Sequence, residues 1–367
     1  LRDKGYCADL SGSAALMAFA ERLSPSVRDV IFKDGKLYGI PVYYSGTVYS
    51  VDLSVLADVG LTMEDMPTNL VDLCAFLTKW NDEYLDAYPN DTPMGSMYDI
   101  KGSMLNTMLT MYMNACTAKG ETISFNAPVF REMMTALENM RVDELQPDET
   151  ELNSDEFWSR NALILERSII GGWNEFAAGT TSAYLPMAMT KDSEVMTFGD
   201  LTVLFVNPAS KNIAEAVNML TCAVESLDAE TLYAMDQTQT EPVLNAYFEE
   251  GKQSLTDTLA VYKAQLETAD ASEKRELESG MEWVESMLAD YDQYRYTISP
   301  EGLAWFKETL APTLQVSMPT FLTASASDNA TSELTTLIAR YSAGQLSMEQ
   351  FIREADNKLR MMQLEGN

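Results

Sequence analysis

The sequence contains no histidine. That removes Ser-His-Asp and Cys-His catalysis, the HExxH zinc site and every His-ligated metal. Asp, Glu, Lys and Tyr are left for any general acid–base work. Basic residues are scarce: 25 Lys and Arg stand against 56 Asp and Glu, a formal net charge of −31. A surface that acidic repels phosphate backbones, so no nucleic-acid partner is expected. The four cysteines, Cys7, Cys74, Cys116 and Cys222, include no CxxC pair, which leaves redox-pair and zinc-ribbon readings without support. Buried free thiols are the expected state, although the sequence leaves a disulfide open. Neither GxGxxG nor GxxxxGK[ST] occurs, so no nucleotide-cradling loop is expected. No apolar run approaches the ~20 residues that span a bilayer. The opening LRDKGYCADL lacks the apolar segment of a signal peptide. No metal and no cofactor are expected.

The 367 residues suit two domains or one large one, and a hydrophobic content of 46% can fill a proper core. The 23 methionines are spread along helical segments and are read as core fillers. SGSAALMAFAERL reads as a helix capped by Ser11 or Ser13. FKDGKLYGIPVYYSG reads as a turn over Lys33–Lys36 followed by strand, with Pro41 expected at an edge or a strand end. VDLSVLADVGL is a short helix closed at Gly60. Pro67-Thr68 opens the next helix, with Leu70, Leu73, Phe76, Leu77 and Trp80 at the spacing of one buried face. KGSMLNTMLTMYMNACTA and APVFREMMTALENMRV follow as helices. LTVLFVNPAS is a buried strand stopped by Asn207-Pro208. Residues 255–291 form a helical hairpin, and SMEQ opens the last helix with a capping box. Strands and helices alternate early and helices dominate late, the pattern of α/β layers with a helical supplement. Trp80, Trp158, Trp283 and Trp305 lie on helical patterns and are expected to pack.

Several blocks, taken in order, carry a resemblance. DGKLYGIPVYYSGTVYSVDLSVLADVGL with MPTNLVDLCAFLTKW, then ETISFNAPVFREMMTAL, then LPMAMTKDSEVMTFGDLTVLFVNPASKNIAEAVNML resemble segments of the extracellular solute-binding proteins of ABC importers, family 1, the maltodextrin-binding-protein-like group. The tail ARYSAGQLSMEQFIREADNKLRMMQLE is similar to the end of Gram-positive sugar-binding members. The resemblance implies a periplasmic-binding-protein-like (type II) α/β fold of two interlaced lobes with the ligand in the cleft between them. Crossings are expected near Pro41–Thr47, Leu201–Val206 and Gln315–Thr320. The lobes then read as 1–45 with 206–315, carrying the extra hairpin, and 46–204 with 316–367. Members of the family carry further strands and helices ahead of the segment matching LRDKGYCADL, so the first lobe is expected to be incomplete at its start.

The function so implied is non-catalytic capture of a carbohydrate for delivery to ABC permease subunits. The implied setting is extracellular, on a lipid anchor outside this chain, and a monomer is expected. Sugars offer apolar C–H faces and a rim of hydroxyls, which aromatic faces and polar groups cover respectively. The candidate ligand-binding residues are Tyr43, Tyr44, Ser45, Tyr98, Asp99, Trp173 and Asn174. Trp173 and Tyr98 match positions where the family has stacking aromatics. Side chains alternate along a strand, so one of Tyr43 and Tyr44 should pack while the other meets ligand. Two alternatives compete: a carbohydrate-active enzyme with paired carboxylates, and a surface interaction protein on the same fold.

Overall fold

The computed structural model describes residues 2, 4–95, 99–145, 147, 151–317 and 329–365. Strands β1 (Phe32–Lys33) and β2 (Lys36–Leu37) form a tight hairpin. Its two turn residues, Asp34 and Gly35, both hold positive φ, +53° and +75°, as a two-residue turn matched to strand twist requires. The turn is where the sequence placed it.

From this hairpin the chain enters β3 (Ile40–Asp52), which organises the molecule. Pro41 sits one residue inside its start, next to a register irregularity between Pro41 and Tyr43, so the missing N–H falls where pairing is already broken. The remaining strands are β4 (Asp91–Met94), β5 (Asn161–Ser168), β6 (Ser182–Leu185), β7 (Thr197–Leu204), β8 (Val243–Leu244), β9 (Tyr296–Ile298) and β10 (Leu314–Val316). Residues 40–46 of β3 pair antiparallel with β7, and residues 47–52 pair antiparallel with β5 on one edge and β6 on the other. Strand β10 joins β7 in parallel and β4 joins β5 in parallel. The sheet order is β10-β7-β3-β5-β4, with β6 beside β3. One continuous strand therefore serves two sets of partners. The stretch LTVLFVNP was expected to be a buried strand; β7 starts earlier, at Thr197, and is half-exposed towards Leu204, because it lies beside β3 near the molecular surface.

Two hydrophobic cores flank the junction. One is methionine-rich and joins Leu70, Leu73, Leu77 and Trp80 to Met104, Met108, Met113, Met133 and Met134, and receives Phe351, Ile352 and Leu359 from the last helix. The expected helix face 70–80 is the face that buries, although the helix starts at Leu70 behind an Asn69 cap rather than at Pro67. Asp356 ties the last helix down by accepting from the Phe125 N–H at 2.7 Å, and Arg131 forks onto Glu349 at 2.6 and 2.9 Å. The capping box is formed: Ser347 N–H donates to Gln350 Oε1 and Gln350 N–H to Ser347 Oγ. The second core joins Leu16, Phe19, Ile31, Leu37, Ile40 and Tyr44 to Val206, Ile298, Phe306 and Leu310. Ile169, Trp173 and Phe176 belong to this second core although their sequence position lies amid segments of the first.

The helical hairpin is Phe248–Leu266 and Ala271–Ala289. Its two helices meet where Tyr262 lies over Gly280, and a Lys263–Glu285 ion pair at 3.2 Å links their flanks. Trp283 faces outward on this arm, 60% exposed, and Trp158 is 57% exposed at the end of a one-turn helix. Both depart from the packing expected of them; among the described residues Trp158 makes an edge-on ring contact with Phe157 at 5.1 Å. Trp80 is fully buried, and Trp305 packs against Phe176 and Tyr184 at 5.1 and 5.5 Å. The four cysteines are free; Cys74 and Cys116 are buried as expected, whereas Cys222 is exposed on its helix. Among the described residues no helix is long and apolar enough to cross a membrane.

Candidate functional site

A cavity of about 330 Å³ opens where β3 changes partners. Residues 45, 47 and 49 of β3 share one face of the strand and residues 44 and 48 the other. Thr47 and Tyr49 line the cavity and Tyr44 fills the second core, while Gly46 and Val48 border both. Gly46 and Gly199 stand opposite each other at the changeover. A Cβ on Gly199 would lie 2.6 Å from the Tyr44 ring and 2.9 Å from the Ser45 carbonyl oxygen, so the close approach of β3 and β7 depends on its absence.

One wall comes from the helix Ile100–Lys119, which presents Asn106, Thr107, Thr110, Met111 and Asn114 at three- and four-residue intervals. The sheet contributes Glu166 from β5, Tyr184 and Leu185 from β6, and Thr197, Phe198 and Asp200 from β7. Met187, Met196 and Ser317 complete the lining. Apolar rings and thioethers thus alternate with hydroxyls, amides and two carboxylates.

Three groups in the cavity are unusual: Tyr49, Asn114 and Tyr184, the last with a phenol that burial also raises. Burial pushes the Tyr49 phenol up to about 12, with the Glu166 charge adding to the effect and a Thr107 hydrogen bond opposing it. Tyr49 is therefore a neutral hydroxyl at any ordinary pH. Asn114 is 4% exposed, and its Oδ1 accepts no hydrogen bond. A buried amide oxygen without a partner costs about 1–3 kcal/mol, so its placement beside a cavity marks a point where an incoming donor is stabilised. Among the described residues no cluster of His, Cys, Asp and Glu can hold a metal ion.

The residues expected from sequence fall largely outside this cavity. Tyr44 is the packed member of the tyrosine pair: its hydroxyl donates to the Gln315 carbonyl at 2.8 Å, and burial raises its ionisation well above the usual phenol range. Tyr43 is half exposed on the opposite face and does not reach the cavity. Ser45 pairs with Asp200 across β3 and β7 and borders the cavity without lining it. Asp99 caps the helix Ile100–Lys119 by accepting from Gly102 N–H. Trp173 is not a ligand platform in this arrangement. Its indole stacks on Phe306 with centroids 4.0 Å apart, and its Nε1–H donates to the Ile169 carbonyl at 2.8 Å. Asn174 is committed to the backbone: Nδ2 donates to the Tyr296 and Thr297 carbonyls and Oδ1 accepts from Ser299 N–H. Tyr98 lies outside the described residues. The cavity residues that sequence reasoning missed carried one legible signal, the polar positions Asn106, Thr110 and Asn114 recurring every fourth residue inside a methionine-rich helix.

No family model and no curated protein matches the sequence. Solved structures do match. The ABC substrate-binding protein from Listeria monocytogenes in complex with cycloalternan superposes with a TM-score of 0.52 at 16% identity, over 98% of this chain and 81% of that one. The chain shares the fold of that protein. The cyclic α-maltosyl-1,6-maltose binding protein from Arthrobacter globiformis gives 0.52 at 16% identity, over 97% of this chain and 79% of that one. A structure concerned with xylan utilization by Caldanaerobius polysaccharolyticus gives 0.53 at 13% identity, over 97% and 81%. In this chain the shared strand β3 lies at the boundary of both cores.

Proposed function

We propose that this chain is the ligand-capturing component of an ABC importer and that it holds a carbohydrate in the cavity beside β3. The observation that carries the reading is the cavity itself, set at the changeover of β3, with the unpartnered Asn114 Oδ1 buried in its wall. Its lining matches what a sugar requires. Tyr49, Tyr184, Phe198 and the methionines offer apolar faces, while Asn106, Thr107, Thr110, Asn114, Glu166 and Asp200 offer hydrogen-bonding groups. The similar proteins from Listeria monocytogenes and Arthrobacter globiformis are described with cyclic glucans, which agrees in ligand class. The lobes in this reading are 1–45 with 206–315, and 46–204 with 316–367, with Ile169–Phe176 reassigned to the first lobe because they pack there. Permease subunits are the partners, the setting is extracellular, the protein acts as a monomer, and a lipid anchor outside these residues holds it to the membrane.

An enzymatic role for the two cavity carboxylates has poor geometry. Glu166 lies opposite Tyr49 on one edge of β3 and Asp200 opposite Ser45 on the other. Strand rise and strand spacing put their Cα atoms about 16 Å apart, and even with both side chains turned inward the carboxyl groups stay about 10 Å apart, beyond the separations of about 5–9.5 Å in glycoside hydrolysis. Titration calorimetry against a panel of mono- and oligosaccharides tests the proposal. A saturable ligand is expected, and Asn114→Ala should weaken it about tenfold or more while leaving unliganded stability within about 1 kcal/mol. A panel that gives no heat and no thermal stabilisation overturns the reading.

A further inference from the structure

The charged groups of the cavity are all of one sign. Glu166 and Asp200 line it, and among the described residues no Lys or Arg does. The nearest basic residue in sequence, Arg167, alternates to the other face of β5, where it stands 4.0 Å from Glu175. A further group in the lining, Asn114 Oδ1, is also an acceptor, buried and without a donor among the described residues. Three separate groups therefore ask for donors, and two of them ask for positive charge. Both carboxylates are exposed in the open cavity and solvated there. A ligand that fills the cavity strips that water, and an uncompensated carboxylate taken out of water is costly. A neutral sugar supplies hydroxyl donors but no charge, and an acidic sugar adds repulsion. An ammonium group supplies three donors and no acceptor.

We propose that the cavity selects an amino sugar, an oligomer carrying protonated amines, over its neutral and acidic counterparts. This rests on the carbohydrate-binding reading above and sharpens it. The wide spacing of Glu166 and Asp200 on opposite edges of β3 calls for amines on different sugar units, so an oligomer is held better than a monomer. Asn114 Oδ1, in the same cavity, accepts from a further amine or hydroxyl of the ligand. The net charge of −31 draws the same cations from a distance and raises their association rate at low salt.

The test compares four tetrasaccharides by calorimetry: glucosamine with its amines protonated, its N-acetylated form, glucose and galacturonic acid. The glucosamine tetramer should bind about tenfold or more tighter than the glucose tetramer, and its affinity should fall as salt rises from about 0.02 to about 0.5 M. In the Glu166→Gln/Asp200→Asn double variant that preference should shrink to about twofold or less. Unchanged thermal unfolding would confirm that the variant is folded. Equal or tighter binding of the glucose or N-acetylated tetramer overturns the amino-sugar proposal and leaves carbohydrate capture standing. So does an amine preference that survives in the double variant. Silence from every tetramer, and from the wider sugar panel, overturns both.

Discussion

Tyr43 and Tyr44 divide as side-chain alternation requires, one inward and one outward, and the outward one is half exposed outside the cavity lining. Alternation is a property of any strand and is legible in sequence; which outward face borders a cavity depends on what packs over it. Trp173 makes the same point more strongly. A matching family position made it a candidate ligand platform, yet Gly171 and Gly172 before it adopt positive φ and the indole stacks in the core against Phe306. Replacing it should therefore act on stability. Trp173→Ala is expected to cost about 3–5 kcal/mol in denaturant unfolding, while the affinity of the folded protein for the proposed carbohydrate changes by less than about threefold. A stable variant that no longer binds would return Trp173 to the ligand site. Asn114 is the converse case, an unremarkable residue in sequence that the fold leaves buried with an empty acceptor.

At the scale of the element, β3 does the work that sets this fold apart from a single layered domain. Its thirteen residues give up β7 and take on β5 and β6 within a few positions. The glycine pair Gly46 and Gly199 lets the backbones close at that point. Gly199→Ala drives a methyl group into the Tyr44 ring and the Ser45 carbonyl, and neither can move without shifting the sheet. We expect it to destabilise by about 1–3 kcal/mol and to weaken ligand binding, because the displaced strand carries Thr47 and Tyr49. Calorimetric unfolding of the variant with and without ligand checks both effects; full stability with full affinity would show that the strand changeover tolerates a side chain. The sequence marked this stretch through its Gly-Ile-Pro and paired tyrosines, and it placed the helix face at Leu70–Trp80 and the final capping box correctly. Those features depend on neighbours within a few residues. The partners of β3 come from more than a hundred residues away, and local pattern does not encode them.

At the scale of the whole molecule, the acidic balance and the buried tyrosines set how stability should respond to pH. Burial holds the folded Tyr49 neutral up to about 12, and Tyr44, Tyr112 and Tyr341 are raised further by burial. In the unfolded chain each ionises near 10. The native state then binds more protons than the unfolded one, so stability is full below about pH 10 and falls as pH rises from there through about 12. Denaturant midpoints measured from about pH 8 to about pH 11.5 should drop steadily above 10; a flat profile would mean that these phenols ionise freely in the folded state. The sequence by itself determined the composition-level facts: no histidine chemistry, no nucleotide loop, a strongly anionic surface and α/β alternation, because these follow from which residues are present and their local order. Only the tertiary structure decided which residues meet in the cavity. Burial, strand pairing and the turn of a backbone at two glycines bring together Asn114, Glu166 and Asp200 while sending Trp173 and Asn174 elsewhere, and those are properties of the packed chain as a whole.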